Sequence, residues 1–237
     1  MGASSGIGHE VALRFIADGW CVGVAARREE PLMKMKALYP EQVEYAVIDI
    51  TTEEAPAELH ALIAKLGGMD VYFHCSGIGH QNTGIDIKVE VDTVRTNVLG
   101  FTQMIDTAYN YFKQNHLKGH ICVVSSVAGT KGLGVSPAYS ATKRYNYIYL
   151  DCLEQLARMQ KMDIAFTDIR PGFVATALLD DGQHYPMQMS VEYAAKNIYN
   201  AVIKRKRVAV IDWKYSLLVF FWRLIPHWLW IRLPIHT

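Results

Sequence analysis

Residues 119–126 read Gly119-His120-Ile121-Cys122-Val123-Val124-Ser125-Ser126. Four apolar residues follow one another with no polar alternation, and two serines end the run. A strand with one wet face alternates polar and apolar; a strand covered on both faces does not. Five more short runs share this character, at 21–26, 43–48, 70–75, 163–169 and 207–211. The intervening segments 9–18, 54–66, 91–114, 138–160 and 191–204 carry helical periods. Strand and helix in steady alternation predict an α/β chain: a doubly wound parallel sheet, Rossmann-like, in three αβα layers.

The 237 residues suffice for one large core without disulfide or metal staples. The apolar share is 51% and the charged share 20%, which excludes a disordered or low-complexity chain. Basic residues number 24 against 23 acids, so no overall nucleic-acid footprint is expected. The four cysteines Cys21, Cys75, Cys122 and Cys152 form no C-x-x-C pair and suit no zinc site. They fit a reduced, cytoplasmic protein. No two of the nine histidines share a predicted helix, and no metal is expected. Residues 1–211 read as one domain, and 212–237 as an apolar aromatic tail.

The chain opens Met1-Gly2-Ala3-Ser4-Ser5-Gly6-Ile7-Gly8. Glycine lets a backbone turn tightly and lets a phosphate approach closely. The helix behind such a loop offers unpaired N–H groups to a pyrophosphate. In a doubly wound sheet this loop follows a strand of about 5–6 residues, so the first strand is expected to be missing from this chain. The run at 21–26 ends near where an adenosine ribose is read. An acid there would bind the 2′-hydroxyl of NAD. Ala26-Arg27-Arg28 stands there instead. Two guanidiniums suit a 2′-phosphate, which favours NADP (NADPH).

Tyr139 and Lys143 lie four apart on a predicted helix, hence on one face. An ammonium beside a phenol favours the phenolate, so Lys143 is expected to lower the Tyr139 pKa. Ser126 stands at the carboxyl end of a strand, where ligands bind in open α/β sheets.

These residues resemble the classical short-chain dehydrogenase/reductase family, from Gly2 to about Thr176. The likeness rests on Gly2-x-x-x-Gly6-x-Gly8, on Ser126, and on Tyr139 thirteen residues later with Lys143. Asp49-Ile50 matches the family's adenine contact, and Asn97 its fourth catalytic residue. Arg170-Pro171-Gly172-Phe173-Val174-Ala175-Thr176 resembles its loop over the nicotinamide. The family's Asn-Asn-Ala-Gly segment stands here as His74-Cys75-Ser76-Gly77, with only the glycine kept. The resemblance implies hydride transfer between NADP(H) and a small-molecule carbonyl or alcohol substrate. Tyr139 would protonate the oxygen, Ser126 would bind it, Lys143 would hold the ribose, and Asn97 would support a water. Pro171, Gly172, Val174 and Thr176 would contact the cofactor, as would Ser4, Ser5, Ile7, Ser76 and Gly77. The alternative is a non-catalytic NADP-binding protein of the same fold, docked on a membrane or serving as a scaffold.

Tyr185, Met187 and Met189 stand where that family keeps a substrate lid, and suit an uncharged, lipid-like substrate. The tail holds four of the five tryptophans, and Arg223, Pro226, His227 and Arg232 interrupt its apolar run. A full membrane span is not expected. Peripheral contact with a membrane interface, aided by the basic cluster 204–207, is one occupant for this surface. A second subunit of a homo-oligomer, dimer or tetramer, is another. Packing within the chain is the third.

Overall fold

The computed structural model describes residues 1–176 and 185–235. Strand β4 (Gly119–Val124) is buried along its whole length. It pairs in parallel with β3 (Val71–His74) on one side and β5 (Ile164–Arg170) on the other. Strand β6 (Val208–Val210) extends the same sheet beyond β5. Successive side chains of a strand point to opposite faces, and β4 shows what each face meets. Ile121 and Val123 join one apolar cluster, closed by α3 (Ala55–Leu66), α5 (Phe101–Gln114) and α6 (Pro137–Met159). Cys122 and Val124 join another, closed by α1 (Gly6–Ala17), α7 (Val191–Ile203) and α8 (Trp213–Leu224). The three expected layers are therefore present.

Strands β1 (Val22–Ala26) and β2 (Val43–Val47) form a separate parallel pair. In the place of a first strand, Met1 and Gly2 lie between β1 and β3. The Met1 amine donates to Phe73 O at 2.8 Å, and Cys75 N donates to Met1 O at 3.0 Å. Gly2 N and Ala3 N both donate to Ala25 O. Alternate residues of a strand turn their backbone groups to the same edge. Gly23 and Val71 thus face the same gap as Ala25 and Phe73.

Strand ends agree with the sequence reading to within one residue, but other elements depart from it. The helix expected over 91–114 is divided into α4 (Ile87–Val94), a π-helical turn (Arg95–Gly100) and α5. Gly100 explains part of this break. A side chain there would meet Ile50 O at 2.7 Å, so the turn packs tightly on the chain after β2. Helix α2 (Glu29–Leu38) is not evident in the sequence; only Leu32 and Met35 of it are buried, too few for a clear period. The tail forms α8 and the short α9 (His227–Trp230), separated at Pro226, which lacks an N–H to continue α8. The cluster 204–207 does not accompany the tail. It precedes β6, at the opposite end of that strand from α8, and Arg207 is bonded to Asp151 and Glu154. Among the described residues, no helix is long and apolar enough to cross a membrane.

Candidate active site

The carboxyl ends of β1, β3, β4 and β5 gather the predicted residues. Gly2 adopts φ +84°, and a Cβ on it would meet Ser76 N at 2.8 Å. Only glycine lets the loop lie this close to the segment after β3. Helix α1 begins at Gly6, earlier than the sequence suggests, so Gly6, Ile7 and Gly8 form its first turn. The Thr176 methyl stands 3.1 Å from where a Gly6 Cβ would be. Loop, helix start and post-β5 segment thus meet at one place.

At the tip of β1, Arg28 donates to Ser5 Oγ at 2.7 Å and to Ser4 Oγ at 3.1 Å. Arg27 faces Asp49, whose carboxyl lies below the ordinary value. Burial opposes that shift, while bonds from Thr51 N and Oγ1 and the Arg27 charge outweigh it. The Asp49 carboxylate is thus turned into its own local turn. Ile50 is buried, and its carbonyl accepts from Gln103.

Ser126 follows β4 and caps a short 3-10 turn (Val127–Gly129), accepting from Ala128 N at 3.1 Å. Tyr139 and Lys143 lie one turn apart on α6, with Lys143 buried. Burial pushes the Tyr139 phenol above its ordinary value. The Ser126 hydroxyl pulls the other way, and Cys75 adds to the rise. The expected lowering by Lys143 is not realised. Its Nζ donates to Val124 O at 3.0 Å and stands 5.7 Å from the Tyr139 ring centroid. Burial pulls the Lys143 ammonium down to about 8, against the opposing pull of Cys75 and Asp168.

Asn97 lies on the π-helical turn and is 2% exposed. Its Oδ1 accepts from Ile78 N at 2.9 Å, and its Nδ2 donates to Ile78 O at 2.7 Å and Thr142 Oγ1 at 3.1 Å. Its own carbonyl accepts from Asn146. Both Asn97 Oδ1 and Lys143 Nζ lie within 3.3 Å of where a Gly77 Cβ would be. The Pro171 carbonyl accepts from Val127 N at 3.1 Å and is 3.5 Å from Ser126 Oγ. Val174 is bridged to Met189. Tyr185 packs on Phe173 with ring centroids 4.7 Å apart, while Met187 is exposed. Residues 177–184 lie outside the described residues.

Sequence reasoning missed three supports. Gly79 lies under the Tyr139 ring, where a Cβ would stand 2.5 Å from a ring carbon. Thr142 ties Asn97 to α6. Tyr215, from the tail, accepts from Phe173 N at 3.0 Å, donates to Pro186 O at 3.1 Å, and presses its ring on Gly172. All three act across large sequence separations. The Gly79 and Tyr215 contacts involve residues with no motif of their own.

A glycine loop opening a helix beside a parallel sheet, with serine, tyrosine and lysine gathered at the strand ends, defines a doubly wound oxidoreductase. The chain belongs to the short chain dehydrogenase family, whose model matches residues 1–185. It is 28% identical over 250 residues to dehydrogenase/reductase SDR family member 7B of Xenopus tropicalis, covering 95% of this chain and 80% of that protein. It is 29% identical over 236 residues to an uncharacterized oxidoreductase of Mycobacterium tuberculosis, covering 95% and 92%. It is 31% identical over 190 residues to farnesol dehydrogenase of Aedes aegypti, covering 76% and 78%. Among solved structures, ElxO with NADP bound superposes with a TM-score of 0.78 at 23% identity, covering 92% of this chain and 97% of that one. Serine dehydrogenase from Escherichia coli gives 0.73 at 21%, covering 89% and 93%.

Proposed function

We propose that this chain is an NADP(H)-dependent reductase or dehydrogenase of a carbonyl/alcohol pair, acting on an uncharged, lipid-like substrate. The observation that carries the reading is the meeting of Ser126, Tyr139 and Lys143 beside the loop that Arg28 braces through Ser4 and Ser5. The residues fit the dinucleotide. The first turn of α1, Gly6 to Gly8, presents its N–H groups and positive dipole end to a pyrophosphate. Arg27 and Arg28 stand at the β1 tip for a 2′-phosphate, with Asp49 turned inward. The NADP bound to ElxO and the apolar alcohol after which the Aedes aegypti relative is named point the same way.

When bound, NADP(H) supplies or accepts the hydride. The chain's own groups handle the proton. The Tyr139 phenol, held protonated by burial, is in the form that donates to a carbonyl oxygen. The Ser126 hydroxyl, fixed by the Ala128 N–H, is placed to hold the same oxygen. Lys143, near 8, can both give and take a proton close to neutral pH. Asn97 and Thr142 fix the segment after β3 against α6.

Replacing only the phenolic oxygen tests this reading. Tyr139→Phe is expected to bind NADPH as the unmodified chain does, and to lose turnover by about 10²–10⁴ in a screen of ketones and apolar alcohols. Unchanged turnover would assign the acid to another group.

A further inference from the structure

Helix α8 is apolar on both sides. Tyr215 and Val219 face the core, and Trp222 packs against Trp230 with centroids 5.3 Å apart and ring planes at 60°. The opposite side carries Trp213, Leu217, Phe220, Phe221 and Leu224, a stripe at i, i+4, i+7, i+8 and i+11. Trp213 is 68% exposed, Phe220 58% and Leu224 64%. Trp228 and Ile231 continue the exposed surface beyond Pro226. Scattered single apolar residues are ordinary; a continuous aromatic stripe marks a contact surface.

The charges on this surface have one sign. Residues 213–235 contain no aspartate or glutamate, while Lys214, Arg223 and Arg232 are all exposed. The Arg232 guanidinium lies 5.6 Å from the Trp228 ring centroid, with its apolar stem free to follow the aromatic surface. Lys131 Nζ borders the same edge, donating to Ile225 O at 2.7 Å. A twofold contact between copies would set the same patch against itself. Three cations from each copy would then meet, with Asp212 at the α8 N-cap the single acidic side chain of each tail. A bilayer carrying anionic headgroups has the complementary charge and an apolar layer for the aromatic stripe. At twelve residues α8 is about 18 Å long, suited to lying in the interface plane and too short to span it.

We propose that the outer face of α8 and α9 docks in the plane of an anionic lipid bilayer. The inner side of this region is fastened to the active-site wall. Trp230 Nε1 donates to Gly132 O at 2.7 Å, and Trp230 shares an apolar cluster with Ala128, Leu133, Val135 and Tyr139. Docking therefore sets the wall between Ser126 and Tyr139 immediately behind the lipid surface, where an apolar substrate is concentrated.

The test reads binding, so it stands apart from any measurement of turnover. The full chain is floated with vesicles of phosphatidylcholine alone and of phosphatidylcholine with phosphatidylglycerol, and its mass is followed by sedimentation velocity. The expected result is partition onto the anionic vesicles, weakened by salt, with a blue shift of tryptophan emission. Trp213→Ser, Phe220→Ser and Leu224→Ser together should lower partition by about tenfold or more without moving the unfolding midpoint. Lys214→Gln, Arg223→Gln and Arg232→Gln together should remove the preference for phosphatidylglycerol. No partition by the unmodified chain overturns the proposal, as does an apolar triple variant that partitions undiminished. A mass that falls in the serine variant while neither chain binds vesicles would assign the surface to a second copy instead.

Discussion

Asn97 binds both backbone polar groups of Ile78, accepting from its N–H at 2.9 Å and donating to its C=O at 2.7 Å. The side chain acts as a missing strand partner for the segment that leaves β3. Asn97→Ala leaves two polar groups of Ile78 without these bonds. Each such loss costs about 1–3 kcal/mol. The variant should unfold about 2–4 kcal/mol more easily in urea, with an unchanged m value.

Arg28 reaches both serines of the loop from the tip of β1, and Arg27 lies beside the inward-turned Asp49. The unmodified chain is expected to bind NADPH at least about tenfold more tightly than NADH. Arg27→Ala with Arg28→Ala should close that gap, because each lost charged contact costs about 1.5–3 kcal/mol. Equal affinities in the unmodified chain, measured by titration calorimetry, would sink the NADP assignment.

Lys143 carries a folded-state pKa near 8 against 10.5 for the ordinary side chain. Between these values the unfolded chain holds more protons at this site than the folded one, so stability rises with pH. Below about 8 the buried ammonium imposes its full cost. Cys75, whose thiol is raised by burial, works in the opposite sense above pH 9. The Met1 amine, lowered to about 6 by burial, adds in the same sense up to about pH 9, so the lysine is read from pH 8 to 9 as the difference from a variant that lacks it. There the unmodified chain should gain about 1 kcal/mol relative to Lys143→Met. A pH-independent difference in urea midpoints would show that the ammonium is not desolvated.

The Tyr215 hydroxyl joins Phe173 N, Pro186 O and Met187 O. Tyr215→Phe keeps the ring against Gly172 and removes all three bonds. Stability should fall by about 1–2 kcal/mol, and NADPH affinity should fall with it if the Pro171–Thr176 loop covers the nicotinamide. Unchanged proteolysis near Pro186 in the variant would show that the hydroxyl does not hold this segment.

The layers were legible because β4 is buried end to end, and unbroken apolar runs report burial on both faces. The Tyr139–Lys143 pairing was legible because helical spacing alone puts both on one face. The π-helical turn was not, since in Arg95-Thr96-Asn97-Val98-Leu99-Gly100 only the glycine stands out, and a glycine marks a weak point in a helix without specifying a π turn. What sets it is tertiary: the Ile78 backbone on one side and Ile50 O on the other. Lys143 misled for a similar reason. Spacing fixed its face but not the carbonyl its ammonium would choose. The cluster 204–207 is adjacent to the tail in sequence, yet the length of β6 carries it to the other end of the sheet.

The first three residues bear on how the molecule opens. The Met1 amine donates to Phe73 O, Cys75 N donates to Met1 O, and Gly2 N and Ala3 N donate to Ala25 O, so one tripeptide ties β1 to β3. Cooperative exchange protection propagates through ladders and packed cores. Strands β1 and β2 share one ladder and β3–β6 another, joined by this tripeptide and by side chains such as Ala25 against the α3–α5 cluster. Amide deuteration should divide the protein into two protection classes, with β1 and β2 exchanging through a lower-energy opening than β4 and β5. The half that would grip the adenosine thus becomes a separately melting unit, and occupancy by a dinucleotide, bridging both halves, would merge the two classes into one.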